Sequence, residues 1–537
     1  MKTKKIIALF FLTGLALTGF SQGKVENNGG YLKSSSTSYF KFGGSGDITL
    51  KSTNADRTTF GNMEADFTGT GTYKLTIPDD SYITVNGNLV LSDTLLLEAS
   101  SNGMASLITN GTVTGNYAEV QQHLPTQDEW HIVSSPVSNE VSGVYAGLYL
   151  LDWYEPDSLW SYITSTTDPL NVTEGYFVWS ASSISSPVDV SFIGLLNTGN
   201  QTVANLTYND NSGEGHGWNL IGNPYPSAIE WNSLWTKTNI DATIYVYDGN
   251  QYLTWNYNLG GYGSMGIGDI PSTQGFWVKA NASNPALTIP NSERLHSSQA
   301  FYKGSDFINN IIEIEIYGNG YSDEAIVGMV QGANNAFDSE YDAYKIYGIE
   351  DAPQLFSCYE DLEMAANFFP NIVSEKIIRL GLKIGIKGQY TFNFLGLDNF
   401  DNSIDVYLED KLISGNNRSF INLRENPVYS FTTNAGTEIN RFVLHFNKSQ
   451  TDIYNNPPMD GSFNEILIYS YEKNIYVNYR NSAPALVIVY DLLGKEIFSK
   501  SLVSFQMNRL PVNIGRGYYI VKVVSEKTIK TKKVFIN

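Results

Sequence analysis

The pattern of apolar residues constrains the fold of this chain more than any other feature, because it is almost nowhere helical. Apolar, β-branched and aromatic residues come in short runs, and Gly, Asn, Asp and Ser interrupt them. Such runs are typical of β-strands joined by tight turns. The best helical candidates are short, near residues 229–236 and 360–366. The sequence therefore predicts an all-β protein, and its 537 residues suggest several domains.

The first residues have the features of an export signal. Three lysines lie within residues 1–5, residues 6–20 form an apolar run, and Ser21 precedes a possible cleavage point at Gln22. This order predicts a signal peptide over residues 1–21. The run is shorter than the roughly 20 residues that cross a bilayer, and no later stretch is long and apolar enough to do so. We therefore expect a secreted chain with no transmembrane segment in its mature form.

Residues 22–127 contain short strands that follow one another every few residues. Single turns, such as residues 86–88 and 101–103, separate them. This spacing favours a ramp of stacked short strands or a partial β-helix. A meander sandwich is the competing interpretation, because the strands have no fixed repeat length.

Residues 128–298 contain an internal duplication. Residues 130–136 (Trp-His-Ile-Val-Ser-Ser-Pro) return as residues 218–224 (Trp-Asn-Leu-Ile-Gly-Asn-Pro). An aromatic segment follows each copy, and each then continues into a matching strand, at residues 174–181 and 274–280. The sequence predicts two homologous β units, 128–215 and 216–298, within one domain.

The remaining sequence predicts two further β domains. Residues 299–449 alternate with period two in several runs, as half-buried strands do, and favour a β-sandwich. Residues 450–462 are polar and rich in turn-forming residues, so we interpret them as a linker. Residues 463–537 alternate strongly and predict a compact, immunoglobulin-like sandwich of about seven strands.

Charge is distributed unevenly along the chain. The whole chain has a net charge of −20, and residues 463–537 carry 11 basic and 5 acidic side chains, a net charge of +6. The three lysines of residues 1–5 add a further +3, so residues 23–462 carry a net charge of −29. The acidic body argues against a nucleic-acid partner, and the sign asymmetry suggests separate roles for body and tail.

The C-terminal residues resemble the sorting domain of the type IX (Por) secretion system of Bacteroidetes. The resemblance rests on residues 489–495 (Val-Tyr-Asp-Leu-Leu-Gly-Lys), 517–523 (Gly-Tyr-Tyr-Ile-Val-Lys-Val) and 533–537 (Lys-Val-Phe-Ile-Asn). It implies a cargo that meets the type IX translocon and is secreted or held on the outer face of the outer membrane, where surface lipopolysaccharide is a possible attachment. An ordinary carbohydrate-binding or cohesive β module is the alternative. The sorting residues that the resemblance implies are Tyr490, Asp491, Gly494, Lys495, Gly517, Tyr519, Lys522 and Lys533.

The body also resembles uncharacterised surface proteins of the same bacteria. That resemblance rests on residues 130–137, 217–231, 289–299 and 341–343. It implies no particular activity.

No residue pattern in the chain predicts catalysis, a metal site or a cofactor. His123 and His131 are eight residues apart, which signals no metal site, and His445 lies in an alternating strand where we expect it to face outward. The acids of residues 338–342 match no calcium loop, so we expect a solvated acidic loop. Cys358, the single cysteine, has no local partner and is interpreted as a buried thiol.

Aromatic residues are the one suggestive feature, and they crowd the duplicated region. Large rings at these positions either fill the cores of small β units or lie exposed, where they would bind a glycan or a matrix protein. Alternation places both tyrosines of residues 245–247 on one face, which could be exposed. The candidate binding residues are Trp153, Trp160, Trp179, Tyr245, Tyr247 and Trp255.

Together these features predict an exported, non-catalytic surface protein that acts in adhesion. An extracellular hydrolase of polysaccharide or protein, with carboxylates dispersed along its strands, is the alternative.

Overall fold

The structure is a computed structural model of the chain, and it confirms the all-β prediction. The predicted signal peptide (1–21) and linker (450–462) lie outside the described residues. Among the described residues, no helix is both long and apolar enough to cross a membrane. Short 3-10 turns lie at Ser142–Tyr145, Glu155–Asp157, Asn291–Glu293 and Leu397–Asn399. The structure describes residues 23–27, 32–34, 39–53, 58–68, 71–115, 117–124, 129–180, 188–209, 216–258, 261–297, 310–372, 375–412, 419–447, 466–471, 474–479, 484–492, 494–503, 506–512, 515, 517–525 and 529–536.

The chain divides into two compact units. One comprises residues 1–249 and 268–302, and the other comprises residues 250–267 and 303–537. The domain boundaries drawn from the sequence remain predictions.

The first unit begins with a parallel β-solenoid. Three ladders of parallel strands run through it, in the orders β1–β4–β7–β10–β15, β2–β5–β8–β13 and β3–β6–β9–β14. The predicted stack of short strands is therefore correct, and the meander sandwich is wrong because consecutive coils pair in parallel. The strands are β1 Gly23–Asn27, β2 Leu32–Lys33, β3 Tyr39–Phe42, β4 Ile48–Ser52, β5 Thr58–Phe60, β6 Asn62–Ala65, β7 Lys74–Ile77, β8 Tyr82–Val85, β9 Leu89–Leu91, β10 Thr94–Leu97, β11 Ala99–Ser100, β12 Gly103–Met104, β13 Ser106–Thr109, β14 Val113–Thr114 and β15 Ala118–Leu124.

Side chains stack from coil to coil inside and at the corners of the solenoid. Leu75 pairs with Leu95, and both are fully buried. At one corner the Asn110 side-chain amide donates to Asn86 Oδ1 at 3.0 Å. The next residue, Gly111, sits so close to the coil below that a Cβ there would lie 2.4 Å from the Gly87 carbonyl oxygen. The Asn-Gly turns that separate the strands in the sequence thus also allow the coils to approach each other.

The two predicted repeats form two sheets with the same strand order. The first sheet is ordered β16–β20–β18–β19, and in the second the strands β23–β29–β26 take the places of β16–β20–β18. The duplication is therefore visible in the topology. The strands that follow the solenoid are β16 Glu129–Ser134, β17 Val137–Ser138, β18 Tyr149–Tyr154, β19 Leu159–Tyr162, β20 Gly175–Ser180, β21 Val188–Leu196, β22 Gln201–Thr202, β23 Trp218–Gly222, β24 Ala228–Glu230, β25 Thr236–Thr238, β26 Ile240–Tyr247, β27 Tyr252–Asn256, β28 Asp269–Ile270, β29 Gly275–Ala280, β30 Ala286–Ile289 and β31 Arg294–Leu295.

Equivalent backbone groups join the two sheets. Ser134 N–H donates to the Thr273 carbonyl at 2.9 Å, and Gly222 N–H donates to the Thr173 carbonyl at 2.9 Å. Thr173 and Thr273 both have left-handed backbone conformations, with φ of 71° and 61°. The repeated residues therefore form a junction with approximate twofold symmetry.

Both predicted helical segments are strands and turns. Around residue 232, the Asn232 side chain accepts the Leu234 N–H at 2.9 Å and forms a turn between β24 and β25. Near residue 360, Glu360 has φ of 51°, which reverses the chain between two strands. The Asn232 turn in the first segment and the left-handed Glu360 in the second are both incompatible with a continuous helix.

The second unit contains one large sheet that folds over its own core. Its eleven strands include the order β40–β39–β42–β37–β35–β36–β33–β32–β38–β41, and β34 pairs with β36. Phe392 and Phe431 lie near one end of this order, yet both rings contact Phe442 of β42, at centroid distances of 5.0 and 4.6 Å. The predicted sandwich thus takes the form of a curled half-barrel. The strands are β32 Ile311–Gly318, β33 Tyr321–Met329, β34 Ala343–Tyr344, β35 Gln354–Tyr359, β36 Leu362–Phe369, β37 Lys376–Ile384, β38 Gly388–Leu395, β39 Val406–Asp410, β40 Ser419–Asn422, β41 Val428–Thr433 and β42 Gly436–Phe446.

The C-terminal strands form two sheets around a common apolar core. The sheets have the orders β43–β44–β47 and β46–β45–β48–β49. Ile475 and Val477 of the first sheet and Val487, Val521 and Val523 of the second are fully buried in that core. A two-layer arrangement is therefore present, whereas the immunoglobulin-like topology is not confirmed. The strands are β43 Leu467–Tyr471, β44 Asn474–Tyr479, β45 Ala485–Tyr490, β46 Glu496–Leu502, β47 Gln506–Pro511, β48 Gly517–Ser525 and β49 Ile529–Ile536.

Candidate functional site

The aromatic residues of the two repeats meet in one cluster of rings. Trp277 of the second repeat contacts Trp153 and Trp160 of the first, at centroid distances of 5.5 and 5.7 Å. The indole N–H of Trp153 donates to the Trp218 carbonyl at 2.7 Å, which adds a polar link between the repeats. These edge-to-face contacts fix the rings in place. Part of the aromatic content therefore forms structural core.

The predicted binding residues differ in how much of each side chain is exposed to solvent. Trp160 is 40% exposed, and Trp153 and Trp179 are half-buried. Tyr245 and Tyr247 are only 1% and 8% exposed. Every residue of β26 is buried, so the expectation of one exposed face on this strand is wrong: the second sheet is covered on both sides.

Trp255 belongs to the second unit. It lies on β27, where it is half-buried. A Cβ on Gly261 would lie 2.2 Å from the Trp255 indole, so the indole packs directly against that glycine.

The candidate binding residues chosen from the sequence did not include two of the most exposed rings in the first repeat. Tyr149 is 57% exposed and Tyr162 is 65% exposed, and their ring centroids lie 6.4 Å apart. All four residues of the edge strand β19 are exposed. The alternation in residues 160–162 (Trp-Ser-Tyr) was the available signal, because it places both rings on one face of the strand.

Strand pairing brings seven rings to one face of the first sheet, and two of them, Trp153 and Phe177, pack into the ring cluster against Trp277 and Tyr247. Trp130 pairs with Trp179, and Trp179 also pairs with Tyr149. Trp160 and Tyr162 pair with Trp153 and Leu151, which alternate with Tyr149 along β18. Directly paired side chains share a face. We call the other five rings the ring platform, and its members are Trp130, Tyr149, Trp160, Tyr162 and Trp179.

A cavity of about 330 Å³ lies in the first unit, between the solenoid and the repeats. His123 and His131, which the sequence left without an assigned role, both line it. The His123 Nδ1 lies 2.7 Å from Asp189 Oδ1, so this ring is already paired with a carboxylate. Among the described residues, no cluster of three His, Cys, Asp or Glu side chains could hold a metal ion.

Carboxylates dominate the charged groups around this cavity. Asp80, Glu129 and Asp248 line it. Burial, followed by the charges of Asp248 and Glu129, raises the pKa of Tyr247 to about 12. The Tyr247 hydroxyl is therefore protonated at neutral pH, and it donates to the Gly249 carbonyl at 2.8 Å. The cavity thus presents accumulated negative charge beside a neutral phenol.

The second unit holds a separate group of acids on neighbouring strands. Glu315 of β32 lies directly opposite Glu324 of β33, and Glu313 is the next residue on the same face of β32. Burial, followed by repulsion from Glu315, raises the pKa of Glu313; burial, followed by repulsion from Glu313 and Glu315, raises the pKa of Glu324. These acids therefore tend to hold a proton, as paired carboxylates at close range do.

His445 lies on the face of β42 opposite the core residues Leu444 and Phe446, as alternation predicts, but that face is covered at this position. His445 is buried, with Nδ1 2.8 Å from Glu375 Oε1 and Nε2 2.9 Å from Glu409 Oε2. The ring of Phe420 packs edge-on against it. Side chains from distant strands cover this position, so alternation within its own strand could not predict its burial.

The predicted acidic loop and the cysteine are also resolved. Asp342 is buried and accepts the backbone N–H groups of Phe368 and Asp338, at 2.6 and 2.8 Å, so at this position the loop is not solvated. Burial raises the pKa of Asp342 to about 7. Cys358 is buried as expected, and burial raises the pKa of its thiol to about 11.

The predicted sorting residues lie on one sheet and its turn. The Asp491 side chain accepts the Lys495 N–H at 2.9 Å, and Gly494 has φ of 86°, which completes the turn after Tyr490. Lys533 is exposed, with its ammonium 4.2 Å from the centroid of the Tyr518 ring. The remaining predicted residues, Gly517, Tyr519 and Lys522, lie on β48.

Comparison with known protein families gives two matches. The family described as Domain of unknown function (DUF8693) matches residues 51–251 and 241–446. The Secretion system C-terminal sorting domain matches residues 471–537, which makes the chain a secreted cargo of the type IX system. No curated protein matches the chain. The chain therefore belongs to the DUF8693 family and carries a C-terminal sorting domain.

Proposed function

We propose that the exported body is a non-catalytic adhesion protein that binds a glycan through the ring platform. The observation that carries the proposal is the edge strand β19, whose four residues, Trp160 and Tyr162 among them, are all exposed. Exposed apolar patches of this kind mark interaction sites. Retention by surface lipopolysaccharide after export would place the platform on the outer face of the outer membrane.

The geometry of the rings favours a sugar as the ligand. Trp160 is held edge-to-face by Trp153 and Trp277, and Tyr149 holds Tyr162 in the same way. Each ring therefore offers a fixed face at little cost in side-chain entropy. A pyranose ring presents a flat face of C–H bonds that packs on such a ring, while its hydroxyl groups keep their contact with water.

An array of polysaccharides, mucins and matrix proteins tests this function. We expect the purified protein to bind at least one polysaccharide, and Trp160→Ala combined with Tyr162→Ala to weaken that binding at least about tenfold. Tyr117→Ala is the matched control, because Tyr117 is 53% exposed and lies outside the platform. Binding to proteins alone, or glycan binding that survives the double substitution, would contradict the proposal.

An extracellular hydrolase is the second candidate, and the acid group of the second unit is the observation that favours it. Glu315 and Glu324 lie directly opposite each other on paired strands, Glu313 follows on the same face of β32, and Glu313 and Glu324 have raised pKa values. Proton-sharing carboxylates can act as general acid and base. Release of reducing ends or peptides from a polymer, lost in Glu313→Gln, would establish this alternative in place of adhesion.

A further inference from the structure

The cavity beside the repeats has the size and construction of a ligand site. Its volume of about 330 Å³ is at the lower end of the range for small-molecule pockets, about 300–1,000 Å³. Its walls come from several segments, among them the end of β26 with Tyr247 and Asp248, residues 227–228, and four others. The four others are the solenoid corner around Asp80 and residues 100–106, the end of β15, the start of β16, and residues 271–274 before β29.

The charged lining selects against anions. Asp80, Glu129 and Asp248 come from three different segments, and none of the described lining residues is a lysine or an arginine. An anionic ligand would approach three carboxylates without a compensating cation. Repulsion between the ligand's negative charge and these carboxylates opposes its binding.

The Asp80 carboxylate is positioned by its own left-handed backbone and by close packing against Gly103. Asp80 has a left-handed backbone with φ of 55°, and it is packed against Gly103. A Cβ on Gly103 would lie 2.1 Å from Asp80 Oδ1, so only glycine leaves room for the carboxylate there. Burial, followed by the charge of Asp79, raises the pKa of Asp80. A partly desolvated carboxylate gains from a ligand that donates hydrogen bonds.

The cavity also shares a residue with the ring cluster. The Tyr247 ring lines the cavity, and its centroid lies 6.1 Å from that of Phe177, which in turn contacts Trp160 at 4.8 Å. Glu129 and His131 line the cavity from β16, the strand that also carries Trp130 of the ring platform on its opposite face. The cavity and the platform thus share one strand and one continuous set of aromatic contacts.

We propose that this cavity binds one sugar unit of the glycan and that this unit is a neutral hexose or a hexosamine. Hydroxyl or ammonium groups of the sugar donate to the carboxylates, and the histidine and tyrosine rings supply apolar contact. Uronic acids and sulfated sugars are rejected by the same carboxylates. The inference rests on the proposed glycan-binding function and names the class of sugar that it recognises.

Titration calorimetry of the full chain with single sugars tests the inference. The probes are glucose, galactose, mannose and glucosamine, with glucuronic acid, galacturonic acid and glucose 6-sulfate as anionic counterparts. We expect at least one neutral or amino sugar to bind about tenfold or more tightly than its anionic counterpart. Glu129→Gln combined with Asp248→Asn should remove most of this preference. Asp80→Asn is an independent second variant, and Asp157→Asn, an exposed acid outside the cavity, is the control.

The outcomes separate the cavity from the platform. Equal binding of neutral and anionic sugars, binding of none, or a preference that survives both cavity variants would overturn the inference. Trp160→Ala with Tyr162→Ala should leave single-sugar binding intact while polymer binding weakens at least about tenfold. If polymer binding does not depend on the platform but single sugars bind as expected, the platform proposal fails and the cavity assignment stands.

Discussion

Replacing Gly275 with alanine should destabilise the junction between the two repeats by about 1–3 kcal/mol. A Cβ at this position would lie 2.5 Å from Ile132 Cγ2 and 2.9 Å from the Val133 carbonyl oxygen. Ile132 is buried and β-branched, so its side chain has few alternative rotamers. The carbonyl belongs to the backbone of β16, which cannot shift without disturbing the pairing of that strand.

The symmetry of the junction supplies a second substitution and a stricter test. At Gly175, the equivalent position, a Cβ would lie 2.7 Å from the Ile221 carbonyl oxygen. The added Cβ of residue 275 would also lie 3.4 Å from the Gly175 Cα, so the two substitutions strain the same contact. We expect the double variant to cost less than the sum of the single variants, with a coupling of about 0.5–3 kcal/mol.

Urea unfolding followed by tryptophan fluorescence and circular dichroism measures these effects. Trp218 and Trp277 lie in the ring cluster of the repeats and report on its packing. Gly388→Ala is the control, because the nearest atom to its added Cβ is 3.7 Å away, and it should change the free energy of unfolding by less than about 0.5 kcal/mol. A Gly275→Ala variant as stable as this control would refute the close packing of the two repeats.

Three further outcomes follow from the structure. Lys345→Met should destabilise the second unit by about 3–5 kcal/mol, because it leaves the buried Asp323 carboxylate without its ion-pair partner at 2.5 Å. Urea unfolding measures this loss of stability, and adding Asp323→Leu should recover part of it. The folded-state pKa of Asp342 is raised from 3.8 to about 7, so the folded state holds this proton more tightly; stability should therefore fall as the pH rises from about 3.8 to about 7, and Asp342→Asn should flatten that slope. Removing residues 463–537 should leave the chain in the periplasm, as cell fractionation would show; a truncated chain at the surface or in the medium would contradict the sorting assignment.

The solenoid shows what local sequence pattern can and cannot predict. Short apolar runs separated by turns such as Asn86-Gly87-Asn88 predicted the short strands correctly. Parallel pairing was harder to predict because the number of residues per coil varies. The paired residues Leu75 and Leu95 are 20 positions apart, whereas the paired residues Leu89 and Val113 are 24 apart, so the sequence shows no fixed period. The choice between a ramp and a meander depended on long-range pairing that these patterns do not encode.

The candidate site was predictable only in part, for a similar reason. Repetition located the aromatic strands, and alternation assigned Tyr245 and Tyr247 to one face. Alternation does not show whether a second layer covers that face, and here both faces of the strand are buried. Tyr162 was not chosen as a binding residue because its exposure depends on β19 being the edge strand, which only the sheet order shows; Tyr149, which contacts it from β18, was not chosen either. The cavity joins residues such as Asp80 and Asp248 from separate segments, which no local motif could bring together.

Hydrogen–deuterium exchange with and without a bound polysaccharide tests most directly whether the ring platform is the binding surface. The account predicts slower exchange in β18 and β19, residues 149–162, when the polymer is bound, with residues 310–447 unchanged. Protection confined to residues 310–447, or none in β18 and β19 at a saturating concentration of a polymer that binds, would contradict it.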